Sequence, residues 1–309
     1  MAITTAEVNQ QFVLSKCDYF IDVQLWPLHK SLNSRAWLEN FTANEIDYAI
    51  HLLNSFIYIS DDLINEFFVA AYHEICTHLR TAGDSYLRAL ESWRNFNDNV
   101  IITYVTGETP NVTDSGYAFA RKARQILDIP EERILSPDEA LRLILDHGPR
   151  PVVFVDDFVG SGNQFIETWH RHIKLTPSLV MSFERTSSVV RGCKFFYCPL
   201  VCTEIGYGQI KKICSNVALY PAHVLSPKYN ALHSDSLVWP NNLRAGAFEF
   251  LKIASLRAGI PDTGGADVND WQGFQKLGLT VGFAHCVPDA TLPIFYWEEN
   301  GWKPLIRKT

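Results

Sequence analysis

Between residues 35 and 95, apolar side chains recur every three or four positions, the period of an amphipathic helix. Trp37, Leu38 and Phe41 lead into a periodic run from Glu45 to Asn54. Asp61 to His78 repeats the period, and so does Asp84 to Trp93. Glycine is nearly absent here, so residues 1–95 are expected to form an N-terminal helical subdomain. The pattern changes at Asn99. Val100 to Val105 reads as a strand, and turn-forming residues follow from Thr106 to Gly116. Tyr117 to Leu127 reads as a helix. Another helix starts at Ser136, with Pro137 at its first position and Glu139 at its third, and runs to about His147. Then come a strand at Val152–Val155, a helix at Asn163–Lys174, a strand at Phe195–Cys202, a helix at Glu204–Cys214 and a strand at Val217–Tyr220. A helix is expected from about 240 to Arg257, and two strands with a long loop from Leu277 onward. Strands alternating with helices predict an α/β domain over 96–309, with a mostly parallel sheet flanked by helices.

Charge and cysteine content narrow the setting. The 309 residues carry a net charge of −7, which argues against nonspecific binding to nucleic acid or an anionic membrane. The cysteines are odd in number, seven, and include no Cys-x-x-Cys pair, as expected of reduced thiols in a cytoplasmic protein. The N-terminus lacks the basic and apolar regions of a signal peptide, and no apolar stretch is long enough to span a membrane.

One segment reads as chemistry rather than scaffold. Val152 to Val155 is wholly apolar and runs into Asp156 and Asp157, and a small-residue turn, Gly160-Ser161-Gly162, then opens a helix at Asn163 and Gln164. Backbone N–H groups at such a turn and helix start form a phosphate cradle. Gly160 and Gly162 give the backbone freedom it needs, and Ser161, Asn163 and Gln164 add side-chain donors. The carboxylates suit vicinal ribose hydroxyls, or Mg²⁺ held through water. As neighbours on a strand they point to opposite faces, so one of them is expected to cap the turn instead. Rival motifs fit worse. There is no Gly-x-x-x-x-Gly-Lys run, Phe165 stands where a dinucleotide fingerprint needs its third glycine, and Val159 stands where a nucleophile elbow needs its first.

The run Val152–Gln164 resembles the phosphoribosyl pyrophosphate motif of type I phosphoribosyltransferases. The resemblance implies that Asp156 and Asp157 meet the ribose hydroxyls, that Gly160 to Gln164 wrap the 5′-phosphate, and that Thr106–Asn111, with Thr106 and Gly107 leading, is the pyrophosphate loop. It also implies Mg²⁺ bridging the diphosphate, and chemistry at ribose C1′. The family motif has Thr or Asp where this chain has Gly160, and Gly-Thr where it has Asn163-Gln164. The missing acid at Gly160 argues against purine salvage. Further segments, Arg35–Phe41, His285–Trp297 and Trp302–Leu305, resemble the phosphoribosyltransferase-like proteins of bacterial conflict systems. That resemblance implies an antiphage effector acting beside a defence-operon partner such as an ATPase. Two readings stay open: an enzyme acting on a phosphoribosyl pyrophosphate-like or nucleotide ligand, and an inactive sensor or scaffold subunit that keeps the cradle.

Other polar residues carry less. His285 follows an apolar strand and is read as structural before catalytic. His170 and His172 lie two apart on a helix and share no face. Arg121, Lys122 and Arg124 could draw in a diphosphate, although a solvated helix face explains them as well. Arg185 and Arg191 flank a Ser/Thr-rich stretch read as a loop.

Overall fold

The computed structural model describes residues 8–107 and 115–308, the side chains of 115–118 excepted. The chain divides into two compact units, Met1–Leu63 with Ser226–Thr309, and Ile64–Leu225. In chain order it begins with helices α1 (Gln10–Asp22), α2 (Ser34–Leu38) and α3 (Ile46–Asn54) and strand β1 (Ile57–Ile59). Helix α4 (Asp61–Leu79) spans the division. The second unit continues with α5 (Tyr86–Asn99), β2 (Ile101–Tyr104), α6 (Ser115–Leu127), α7 (Pro137–His147), β3 (Pro151–Val159) and α8 (Asn163–His170). It is completed by β4 (Ile173–Thr176), β5 (Leu179–Met181), α9 (Phe183–Val189), β6 (Lys194–Thr203), α10 (Glu204–Ile213), β7 (Val217–Leu219) and β8 (His223–Leu225). The first unit resumes with α11 (Asn241–Arg244), α12 (Ala247–Ala258) and β9 (Val281–Phe283).

The second unit is a parallel sheet in the order β2-β3-β6-β7, with β8 pairing the far half of β6. Its strands are almost wholly apolar, as a sheet covered on both faces requires. On one face Val152, Phe154, Phe195 and Tyr197 share a core with Ala140, Leu141 and Ile144 of α7, Phe165 and Trp169 of α8, and Ile210 of α10. The other face meets α4 and α5: Cys198 Sγ lies 3.5 Å from Ala71 O, and Phe196 packs edge-on against Phe96 at 5.6 Å. Those contacts explain why residues 64–95, expected with the N-terminal helices, cluster with the sheet. Phe68, Ala71, Tyr72 and Ile75 of α4 are buried, giving that helix an apolar stripe to lay down. Helix α7 starts as its sequence predicts. Ser136 N donates to Glu139 Oε2 at 2.9 Å, and Pro137 occupies the first turn.

The first unit has its own core. Trp37 is fully buried, stacks on Phe295 at 5.4 Å, and donates from Nε1 to Ile294 O at 2.9 Å. Asn40 Nδ2 donates to Lys303 O, Lys303 N donates back to Asn40 Oδ1, and Phe41 meets Trp302 edge-on. The early segment Arg35–Phe41 and the tail segments 285–297 and 302–305 are thus one packed assembly. Strands β1 and β9 pair in parallel beside it.

Candidate functional site

The cradle is built where β3 and β6, paired in parallel, end side by side and each turns at once into a helix. The register runs Val155↔Cys198, Asp156↔Pro199 and Val159↔Cys202. β3 does not stop at Val155. It continues through both acids to Val159, so Asp156 and Asp157 lie within a nine-residue strand and not beyond its end. Alternation sends their side chains to opposite faces. Asp156 is 4% exposed, and both its oxygens are engaged. Oδ2 accepts from the Tyr197 hydroxyl at 2.9 Å, and Oδ1 accepts from Asp157 N at 3.0 Å. Tyr197 itself stacks on Phe165 of α8 with ring centres 4.0 Å apart. Asp156 therefore sits in the apolar layer under α8. Burial first, and the Asp157 charge second, push its carboxyl well above the usual carboxylate range, against a smaller downward pull from Tyr197. Asp157, also buried, faces the opposite side of the strand.

Two close backbone approaches hold the turn after β3. Gly162 has φ +86°, the left-handed conformation that favours glycine, and a Cβ there would lie 2.9 Å from Ile210 Cγ1 and 3.1 Å from Gly206 O. A Cβ on Gly206 would lie 2.4 Å from Gly160 O. Thr203 closes the contact: its hydroxyl donates to Gly160 O at 2.5 Å and accepts from Gly206 N at 3.0 Å, capping α10. The turn is thereby clamped on one side by the start of α10. Its outer side is open, with Gly160 and Ser161 half-buried and Asn163 and Gln164 exposed. The first-turn amides of α8 have no helical acceptor, the condition under which a helix start holds an anion. Ser161 Oγ lies 3.4 Å from Asn163 N, and Asn163 Oδ1 accepts from Gln209 of α10 at 2.7 Å.

The exit of β2 is joined to this turn through one hydroxyl. Thr168 Oγ1 donates to Gln164 O at 2.9 Å, lies 3.1 Å from Thr106 O, and accepts from Thr106 N at 3.2 Å. Arg171, which caps α8, hydrogen-bonds Thr106 Oγ1 and donates to Gly107 O at 2.6 Å. Thr106 and Gly107 thus stand beside the cradle, and the rest of the expected pyrophosphate loop, 108–111, lies outside the described residues. Of the cations on α6, Lys122 donates to Asn65 and Arg124 pairs with Glu131.

Reading the chain for motifs misses Tyr197, Thr203, Gly206, Thr168 and Arg171. Thr203-Glu204-Ile205-Gly206, a hydroxyl residue ending an apolar strand with glycine three positions on, carried a usable signal. The others show only when strands are aligned. A family model described as PRTase-CE matches residues 34–308. No curated protein matches the chain.

Proposed function

The chain belongs to the PRTase-CE family and is phosphoribosyltransferase-like; from that premise we propose that it binds a phosphoribosyl pyrophosphate-like or nucleotide ligand with Mg²⁺ and acts at ribose C1′, as a cytoplasmic effector of a bacterial antiphage system. The observation that carries this reading is the clamped, outward-open turn Gly160–Gln164 at the carboxyl end of a parallel sheet, the usual ligand side of such sheets. Its amides, with Ser161, Asn163 and Gln164, hold the 5′-phosphate. Asp157 meets the ribose hydroxyls. Asp156, with both oxygens bonded inside the protein, supports the strand from behind. The donor set suits Mg²⁺ held through water at Asp157 and not at Asp156. Bound Mg²⁺ supplies charge neutralisation for the diphosphate. In the reaction, the C1′–O bond breaks, its electron pair leaves with the diphosphate, and an acceptor lone pair forms the new bond to C1′. The turn and Asp157 hold the sugar still as positive charge develops on the ring.

A second reading, a ligand-binding sensor or scaffold subunit without turnover, is favoured by the enclosure of Asp156, both of whose oxygens are bonded inside the protein, and by the lack of an acid at Gly160. The two separate on one experiment. Pyrophosphate release from Mg²⁺-phosphoribosyl pyrophosphate is followed across a panel of nucleotide and nucleic-acid acceptors. Release that Asp157→Asn abolishes supports the enzyme. Binding without release supports the sensor, and absence of binding defeats both. No helix among the described residues is long and apolar enough to cross a membrane.

A further inference from the structure

We propose that the exposed face of α12 is the surface by which two copies of this chain associate, helix against helix, antiparallel about a two-fold axis. The inner face of α12 buries Ala247, Phe250, Leu251, Ala254 and Ala258 in the core of the first unit. A surface helix with one face buried normally turns polar and charged residues outward. Here the outer face is largely apolar: Phe248 is 50% exposed, Ile253 47% and Leu256 75%. Phe248 is also held in place, its ring edge-on to Trp271 at 5.2 Å. An aromatic side chain fixed before contact loses little freedom when it is covered, which suits it as an anchor. Two charged residues, Glu249 and Lys252, stand among these apolar ones, and both are exposed. Neither makes an ion pair among the described residues, whereas Arg257 on the same helix is taken by Glu45.

The order of these residues identifies the partner. In a two-fold antiparallel pair of identical helices, a step forward on one copy is matched by a step back on the other. The register that sets Glu249 against Lys252 of the second copy therefore also sets Phe248 against Ile253, one step outward on each helix. Four steps from the charge pair, Leu256 meets Ala245, which is exposed and lies in helical backbone just before α12. Symmetry repeats each contact, so the face offers two opposite-charge pairs bordered by apolar ones. Because a helix turns by about 100° per residue, the neighbouring registers that keep this face inward lie about a turn away. One of them sets Glu249 against Leu256 and Lys252 against Ile253, and the other sets Glu249 against its own copy. Both lose the charge match. The face is thus complementary to itself in one register, as a two-fold interface requires, and a second copy supplies the matching pattern by symmetry. A single helix pair belongs among the small interfaces, below about 1,200 Å² in total, so monomer and dimer are expected to exchange in the micromolar range.

Sedimentation of the full chain across the micromolar range tests this, with melting curves as a folding check. The wild type is expected to pass from monomer to dimer as concentration rises. Glu249→Lys and Lys252→Glu each bring like charges face to face, and each should weaken the dimer by about tenfold or more. A mixture of these two variants should form a heterodimer, since every reversed charge then meets its opposite. The double variant should regain wild-type association within about threefold. Leu256→Lys, which touches neither charge pair, should also weaken the dimer. A wild type that stays monomeric overturns the inference. So does a dimer that survives both single reversals, or a mixture that associates no better than either variant alone. Should one reversal fail to fold, the other and Leu256→Lys decide, and undiminished association in both overturns the inference. None of these residues belongs to the cradle, so the result stands whether or not phosphoribosyl pyrophosphate binds.

Discussion

Gly206→Ala probes the clamp behind the cradle. The added methyl would stand 2.4 Å from Gly160 O and 2.8 Å from Val159 Cγ1, whereas ordinary contact begins at 3.4 Å. Restoring that contact moves the Gly160 carbonyl by about 1 Å, because 3.4 − 2.4 = 1.0. Thr203 ties the same carbonyl to α10, so the turn cannot yield without stretching a 2.5 Å hydrogen bond. Two stability terms oppose each other. Alanine in place of glycine favours a helix by about 0.8–1.0 kcal/mol, and overpacking costs about 1–3 kcal/mol. The net loss is about 0–2 kcal/mol, a fall in Tm of at most about 8 °C. Ligand binding suffers more, because the turn amides shift by about 1 Å. A displacement of that size costs about 10- to 100-fold in a site that depends on position. Titration of Mg²⁺-phosphoribosyl pyrophosphate into the folded variant is the assay. A variant that folds and binds as tightly as the wild type refutes the argument that α10 sets the cradle.

Three further outcomes follow from the same geometry. The folded chain keeps the Asp156 proton to a higher pH than the unfolded chain, which releases it above about pH 4. Stability is therefore lost as pH rises from there toward the folded pKa, so Asp156→Asn should gain on the wild type more at pH 7 than at pH 4 in urea denaturation; a difference that is flat with pH contradicts this. Tyr197→Phe leaves Asp156 Oδ2 without its hydroxyl donor and should cost about 1–3 kcal/mol, read as a drop in the urea midpoint. Burial pushes the Cys17 thiol up to about 11 and Cys202 up to about 12. An aromatic disulfide reagent should therefore label the half-buried Cys76, Cys193 and Cys286 first, leaving Cys17, Cys198, Cys202 and Cys214 until denaturant is added.

The α/β alternation was legible because the strands of the main sheet are mostly apolar runs separated by helices, two of which, α7 and α10, begin at a capping hydroxyl. Ser136-Pro137 with Glu139 marks α7 at its true start. Features that depend on a partner segment were hidden. Ile57–Ile59 becomes a strand only because β9 pairs with it. The helix expected to reach Lys174 stops at His170, since Ile173 and Leu175 alternate as β4 against β5. The Ser/Thr-rich stretch read as a loop is helix α9. Ser182 caps it by accepting from Arg185 N at 3.1 Å, and the Thr186 and Ser187 hydroxyls donate back to helix carbonyls. At the site, local sequence located the turn and both acids. It could not show that β3 runs on through them, because Asp is a poor strand former until Tyr197 on β6 supplies a donor. Nor could it show why Trp37 and the tail belong to one pattern, since that contact spans most of the chain.

The central claim is that the turn after β3 grips a sugar phosphate while Asp157 holds the sugar. Calorimetric titration of Mg²⁺-phosphoribosyl pyrophosphate into the wild type and Asp157→Asn tests it most directly. One saturable site, weakened by about tenfold or more in the variant, is the predicted result. No heat of binding to a folded wild type, or equal affinity in both proteins, contradicts it.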